Sequence, residues 1–274
     1  MTNAKESTMT LKFSPANAKT VALKVVFKDT YLKEKRKVYS LDLSSGVSCP
    51  GAKDCKSMAV IDPLTGRATI KDGPHCQFRC FSASQEVLFP SLRKLREHNF
   101  ALLKQAKTVD KIASLILNSL PSNAGVVRLH VGGDFFSLNY LLAMYRVAFL
   151  RPDILFYFYT KSLHHLKALY ALKGIDGVWD LSIGEILPNF LVTASRGGKF
   201  DHLIGELGIR EAVVVNSEAE AMTLGLTIDH DDSHAAKSGD SFALLLHGTQ
   251  PAGTPAARAL SILKKKGLGS YNRS

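Results

Sequence analysis

The sequence predicts an α/β protein: an incomplete (β/α)6-type parallel barrel, with a long cysteine-bearing loop after the first barrel strand. Three observations predict it. Strand-like runs alternate with helix-like segments, the pattern of parallel strands joined by crossover helices. The strand runs are almost continuously apolar, as expected where both faces are covered. Counted from residues 37–43, there are about six of them. An open doubly wound sheet is the alternative architecture.

In chain order, residues 1–9 are polar and read as a disordered tail. Residues 21–27 (VALKVVF) and 37–43 (KVYSLDL) read as strands, rich in Val and Leu. The stretch from Ser44 to about Gln85 reads as irregular, and a loop of that length is usually functional or organised by a ligand. Pro90 suits a first helical turn, and Leu92, Leu95, Phe100 and Leu103 give 90–106 a helical spacing. A second helix, 109–120, stops before Pro121. A strand at 126–131 (VVRLHV) precedes a helix capped by Ser137 and running to Phe149. A strand at 154–160 (ILFYFYT) precedes a helix capped by Ser162 and running to about Lys173. Strands follow at 190–194, 212–216 and 242–247. Ser217-Glu218-Ala219-Glu220 reads as a capping box opening a short helix, and 254–266 reads as a closing helix. The expected organisation is one domain, 10–266, with the cysteine loop at 44–85 and a tail at 267–274.

The 274 residues carry 35 Lys and Arg against 24 Asp and Glu, a formal charge of +11, with 46% apolar and 22% charged residues. Such a chain can bury a large core, which excludes disordered, collagen-like and disulfide-stapled classes. No stretch reaches the roughly 18 apolar residues of a membrane helix; the best, Leu138 to Leu150, contains Asn139 and Arg146. Met1 to Thr8 lack an apolar signal core, so the expected compartment is the cytoplasm. Basic residues cluster in 1–40, in 91–107 and at Arg258, Lys264, Lys265, Lys266 and Arg273. These patches suit nucleic acid or another polyanion, or else a solvated surface.

Cys49, Cys55, Cys76 and Cys80 fall within 32 residues as Cys-x5-Cys, twenty residues, Cys-x3-Cys, and the chain has no other cysteine. In a reducing cytosol such a set reads as metal ligands rather than disulfides. Four thiolates suit zinc or an iron–sulfur cluster. The x5 gap fits zinc's usual spacing of about two to four residues less well, so a [4Fe–4S] cluster is preferred. Four reduced thiols without a metal are the plain alternative.

In an α/β barrel the chemistry sits at the C-terminal strand ends. Here those ends carry Gly132-Gly133-Asp134, Thr160-Lys161-Ser162, Ser195-Arg196-Gly197-Gly198, Ser217-Glu218 and Gly248-Thr249-Gln250. Paired glycines let a ligand approach the backbone, and Asp134 suits an amine or a ribose hydroxyl. Lys161 and Arg196 suit a carboxylate or phosphate. His130 reads equally as a satisfied core histidine or a site residue. Asp229-His230-Asp231-Asp232-Ser233-His234 has the residues for acid–base chemistry or a divalent metal, with Asp229, His230, Asp231 and His234 as candidates, or it is an exposed charged loop.

On Gly46 to Pro50, Phe78 to Ser84, His130 to Phe136 (HVGGDFF), Tyr159 to Leu163, Thr193 to Gly198, Ile228 to Ala235 and Leu246 to Gly253, the chain resembles the phage "gene product 88" family. The resemblance implies a viral protein in the host cytoplasm. More distantly it resembles radical S-adenosylmethionine enzymes. Cys76-x3-Cys80-Phe81 is similar to the start of their cysteine motif, and Gly132-Gly133-Asp134 to the motif that binds the methionine amino group. The departure is the third motif position, which here is Ala83. The resemblance implies a [4Fe–4S] cluster, S-adenosylmethionine held by Gly132, Gly133, Asp134 and Ser195, and a pocket lined by Lys161, Arg196 and the Asp229–His234 cluster. Its substrate would be a nucleotide, nucleic acid or peptide. The competing expectations are a non-catalytic nucleic-acid-binding protein with a structural four-cysteine site, and a hydrolase or transferase with its metal at Asp229, His230 and His234.

Overall fold

The computed structural model describes residues 9–172 and 187–268. The expected tail over 1–8, the last residue of the expected helix at Lys173 and the tail over 269–274 lie outside them. The elements run β1 (Phe13–Pro15), α1 (Leu23–Val26), β2 (Lys37–Leu41), β3 (Ser57–Ile61), β4 (Ala68–Asp72), α2 (Phe81–Leu88), α3 (Pro90–Ala106), α4 (Val109–Ser119) and β5 (Ala124–Leu129). Next come α5 (Leu138–Leu150), β6 (Leu155–Thr160), α6 (Leu163–Ala171), β7 (Phe190–Ser195), α7 (Leu203–Leu207), β8 (Glu211–Val215), α8 (Glu218–Thr223), β9 (Thr227–Ile228), β10 (Phe242–Leu245) and α9 (Pro255–Lys265).

One sheet has the order β1-β2-β5-β6-β7-β8-β10-β9, and β3 and β4 form a separate hairpin. Every neighbouring pair in the large sheet is parallel except β1–β2. The architecture is mixed α/β with a mostly parallel sheet, as expected, and no closed barrel forms among the described residues. The strand order also lacks the reversal of a doubly wound sheet. Strands β2, β5, β6, β7, β8 and β10 are neighbours in the order in which the chain makes them, so their C-terminal ends share one edge.

Alternation along each strand separates two faces. Val127, Leu129, Phe156, Phe158 and Ala194 meet α4, α5, α6 and α7 on the outer face. Further along the same face, Val215, Ala243 and Leu245 meet α8 and α9. The inner face carries Val38, Val126, Leu155, Tyr157 and Phe242, covered by Leu23, Phe27, Ala235 and Ala236. No described helix is long and apolar enough to cross a membrane.

Helix starts follow the sequence signals. Hydroxyls of Thr108, Ser137, Ser217 and Thr254 accept from backbone N–H groups in the first turns of α4, α5, α8 and α9. Ser162 starts α6 without such a bond.

Two expectations are corrected, and one helix, present as expected, turns an unexpected face inward. Residues 21–27 are not a strand: Asn17 and Thr20 exchange side-chain-to-backbone hydrogen bonds that set a turn, and only Leu23 and Phe27 are buried, at helical spacing. Residues 44–85 are not wholly irregular, since they contain the β3–β4 hairpin and open α2 at Phe81. In α3 the first three turns bury Arg93, Arg96 and Asn99, while Leu92 and Leu95 are only half-buried. Polar acceptors beneath the cysteine loop select that face.

Candidate functional site

The chain leaving β2 crosses the C-terminal edge of the sheet like a strap. At the end of β6, Gly51 lies so close to Lys161 that a Cβ there would stand 2.1 Å from the Lys161 carbonyl oxygen. At the end of β7, Asp54 N–H donates to the Gly197 carbonyl (3.0 Å) and Lys199 N–H to the Gly51 carbonyl (2.9 Å). Beyond β10, the Gln250 amide accepts from Arg79 N–H (2.8 Å) and donates to the Arg79 carbonyl (3.1 Å). Phe81 packs on His247, with ring centroids 4.6 Å apart. The Arg79 guanidinium also forks onto Asp72, tying the hairpin to the strap.

A buried polar group holds the two stems of this strap together. Glu86 accepts from Ser45 N–H and Ser45 Oγ, each at 2.9 Å. Arg96 donates to Glu86 (3.1 Å) and to Ser82 Oγ (2.7 Å). Glu86 and Arg96 are 2% and 1% exposed, so each charge depends on the other. Ser45 precedes Cys49, and Ser82 follows Cys80.

The strap brings the four free, half-buried thiols into one neighbourhood. Cys49 is pushed well above the usual thiol range by burial, then by the charges of Asp134, Cys80 and Cys55. Burial, then Cys55, pushes Cys80 up to about 12, against backbone N–H groups of Ala83 and Ser82 at the start of α2 that favour its thiolate. Cys49, Cys55 and Cys80 thus influence one another in every pairing. Cys76 interacts electrostatically with Cys55, donates to the Phe78 carbonyl at 3.1 Å, and lies 3.5 Å from the Ser57 hydroxyl, which also accepts from Cys80 N–H at 3.3 Å. Among the described residues, no three His, Cys, Asp or Glu side chains form a group able to hold one metal ion.

The strand-end residues meet this strap. Gly133, at φ +92°, leaves no room for a side chain: a Cβ would stand 2.6 Å from Leu43 Cβ and 2.7 Å from Ser48 Oγ. Gly132 lies against Ser82 and Arg96. The Asp134 carboxylate is buried and accepts from Thr160 Oγ1 (2.7 Å), Phe135 N–H (2.7 Å) and Lys161 N–H (2.9 Å). Burial raises its pKa, and these donors oppose the rise. Lys161 Nζ donates to Ser195 Oγ (2.8 Å) and to the Ser195 carbonyl (2.9 Å), bracing β6 against β7. Arg196 is largely exposed and pairs with Glu211. His130, at φ +66°, is buried against Tyr140.

The Asp229–His234 cluster divides. His230 is exposed, Asp231 is half-buried and Asp229 is fully buried, with its Oδ1 3.5 Å from His234 Nδ1. The residue that goes deepest, Asp232, was not among the candidates. On the inner face its carboxylate receives Lys19 (2.8 Å), Arg128 (2.5 Å), Tyr157 Oη (3.0 Å) and Tyr159 Oη (3.1 Å). Burial alone would raise its pKa, but Arg128 and Lys19 outweigh burial and hold it at about 2. The cue in the sequence was a charge inside an apolar strand run, Arg128 in VVRLHV, with tyrosines at alternate positions in the next strand. Glu86 and Arg96 had no comparable cue, whereas Gln250 belongs to the polar strand end Gly248-Thr249-Gln250.

Comparison with curated proteins and with solved structures finds no match to this chain. The family model described as Gene product 88 matches residues 8–265. The chain belongs to the phage gene product 88 family.

Proposed function

We propose that the cysteine strap holds a [4Fe–4S] cluster, and that the protein is an enzyme on an open, radical-enzyme-like barrel that uses S-adenosylmethionine. The observation that carries this reading is that Cys49, Cys55 and Cys80 lie within electrostatic reach of one another on a strap over the C-terminal strand ends. The in-order strands with helices on the outer face support the barrel-like part. The donor set is all thiolate, which suits an iron–sulfur cluster.

Cys49, Cys55 and Cys80 would hold the cluster, with Cys76, joined to Cys80 through the Ser57 hydroxyl, as a fourth thiol beside it. When bound, the cluster supplies the electron for reductive cleavage of S-adenosylmethionine. The N–H groups of Ser82 and Ala83 favour the Cys80 thiolate. Asp134 and the Gly132-Gly133 backbone shape the space beside Cys49, Lys161 and Ser195 fix the adjoining strand end, and Asp229 with His234 forms an acid–base pair. The substrate is a nucleotide, nucleic acid or peptide, encountered in the host cytoplasm. Reconstituted protein with S-adenosylmethionine and a reductant should release 5′-deoxyadenosine. No release from protein with an intact cluster overturns the enzymatic reading.

One observation favours a second reading. The polar groups of Asp134 and Lys161, which an enzyme would turn towards substrate, are engaged by neighbouring protein groups. A structural cysteine site in a basic, nucleic-acid-binding protein accounts for that. Its affinity for DNA or RNA should fall steeply with salt, and absence of binding at low salt removes it.

A further inference from the structure

Beside the cysteine strap, a groove of about 510 Å³ runs between the loop after β10 and one face of α9. Thr249 and Gln250 form one wall. Ala257, Leu260, Ser261, Lys264 and Lys265, at helical spacing, form the other. We propose that this groove binds the phosphate groups of a small phosphorylated ligand, such as a nucleotide. The inference goes beyond the cysteine-site reading and does not require it.

The lining is the basis. It offers two ammonium groups and two hydroxyls over a small apolar floor, and it includes no acid. Lysines act on phosphate as mobile point charges, and hydroxyls donate to its oxygens. Among the described residues neither Lys264 nor Lys265 has an ion-pair partner, whereas the adjacent Lys266 pairs with Glu218. The volume falls in the small-molecule range of about 300–1,000 Å³, below what a nucleic-acid duplex demands. The wall is also fixed to the strap. Gln250 is bonded to both backbone groups of Arg79, the residue before Cys80, so a ligand in the groove lies at the edge of the cysteine neighbourhood.

The test is calorimetric titration with inorganic pyrophosphate, with adenosine triphosphate and, separately, with a short single-stranded oligonucleotide. Pyrophosphate and the triphosphate should bind. Lys264→Ala with Lys265→Ala should weaken them about tenfold, equivalent to ~1.4 kcal/mol. Lys266→Ala should leave them unchanged. All three lysines are exposed at the end of α9, so the variants should fold. Absence of triphosphate binding, an equal loss in Lys266→Ala, or binding of the oligonucleotide alone each overturns the proposal. Iron content is measured on the same samples. Phosphate binding by iron-free protein leaves the groove standing whatever the fate of the cluster reading, and iron-loaded protein that fails to bind phosphate overturns the groove alone.

Discussion

Tyr159 on β6 and Phe242 on β10 approach with ring centroids 6.1 Å apart, although β7 and β8 lie between their strands. Three strand spacings in a flat sheet are about 14 Å. The inner face is therefore concave, and side chains from distant strands meet across it. That curvature brings Asp232 within reach of Arg128, Tyr157 and Tyr159 at once. It also puts His247, beyond β10, in the electrostatic surroundings of Lys19, Arg128 and Asp232.

Asp232 anchors this interior. Asp232→Ala leaves Arg128 and Lys19 buried without their carboxylate, so it should cost about 3–5 kcal/mol. Urea denaturation monitored by circular dichroism measures the loss. A cost below about 1 kcal/mol would show that the network contributes little.

Gly51 is where the strap touches β6. Gly51→Ala forces its Cβ into the Lys161 carbonyl, and backbone at that place has little freedom to yield. The strap should lift, costing about 1–3 kcal/mol. In the metal-free protein, the four thiols should then react faster with a disulfide reagent. An unchanged reaction rate would contradict the strap geometry.

Stability should fall in mild acid. Burial holds His130 at about 3 and His247 at about 4, both below the usual 6.5. Between those values and 6.5 the unfolded chain binds protons that the folded chain excludes, so stability rises with pH in that window. Each histidine contributes about 1.4 kcal/mol per pH unit there. Melting temperature measured from pH 7 to 4.5 should drop, and His247→Gln should drop less. An equal slope in the variant would exclude His247 as a contributor.

The parallel strands and outer helices were legible because apolar periodicity and hydroxyl caps are local signals. The curvature was not, since it arises from contacts such as Tyr159 with Phe242 across several strands. Residues 21–27 misled because Val and Leu suit a strand, while the Asn17–Thr20 turn fixed the local geometry instead. The cysteines stood out by count and spacing, but the Ser57 hydroxyl that lies between Cys76 and Cys80 did not, because the hairpin brings it there. Lys161 and Asp134 stood out as polar strand ends, yet their partners came from Ser195 and Thr160, which spacing alone does not pair. The pairing of Arg96 on α3 with Glu86 on α2 was hidden because the two lie on different helices, and α3 turns its arginines rather than Leu92 and Leu95 inward.

The central claim is that Cys49, Cys55 and Cys80 hold a metal cluster. Anaerobic purification followed by iron, sulfide and zinc analysis, with an absorption spectrum, tests it most directly. The account predicts about four irons and about four sulfides per chain with a brown chromophore. Cys49→Ala, Cys55→Ala and Cys80→Ala should each lose them. One zinc without iron, or no metal at all, would contradict it.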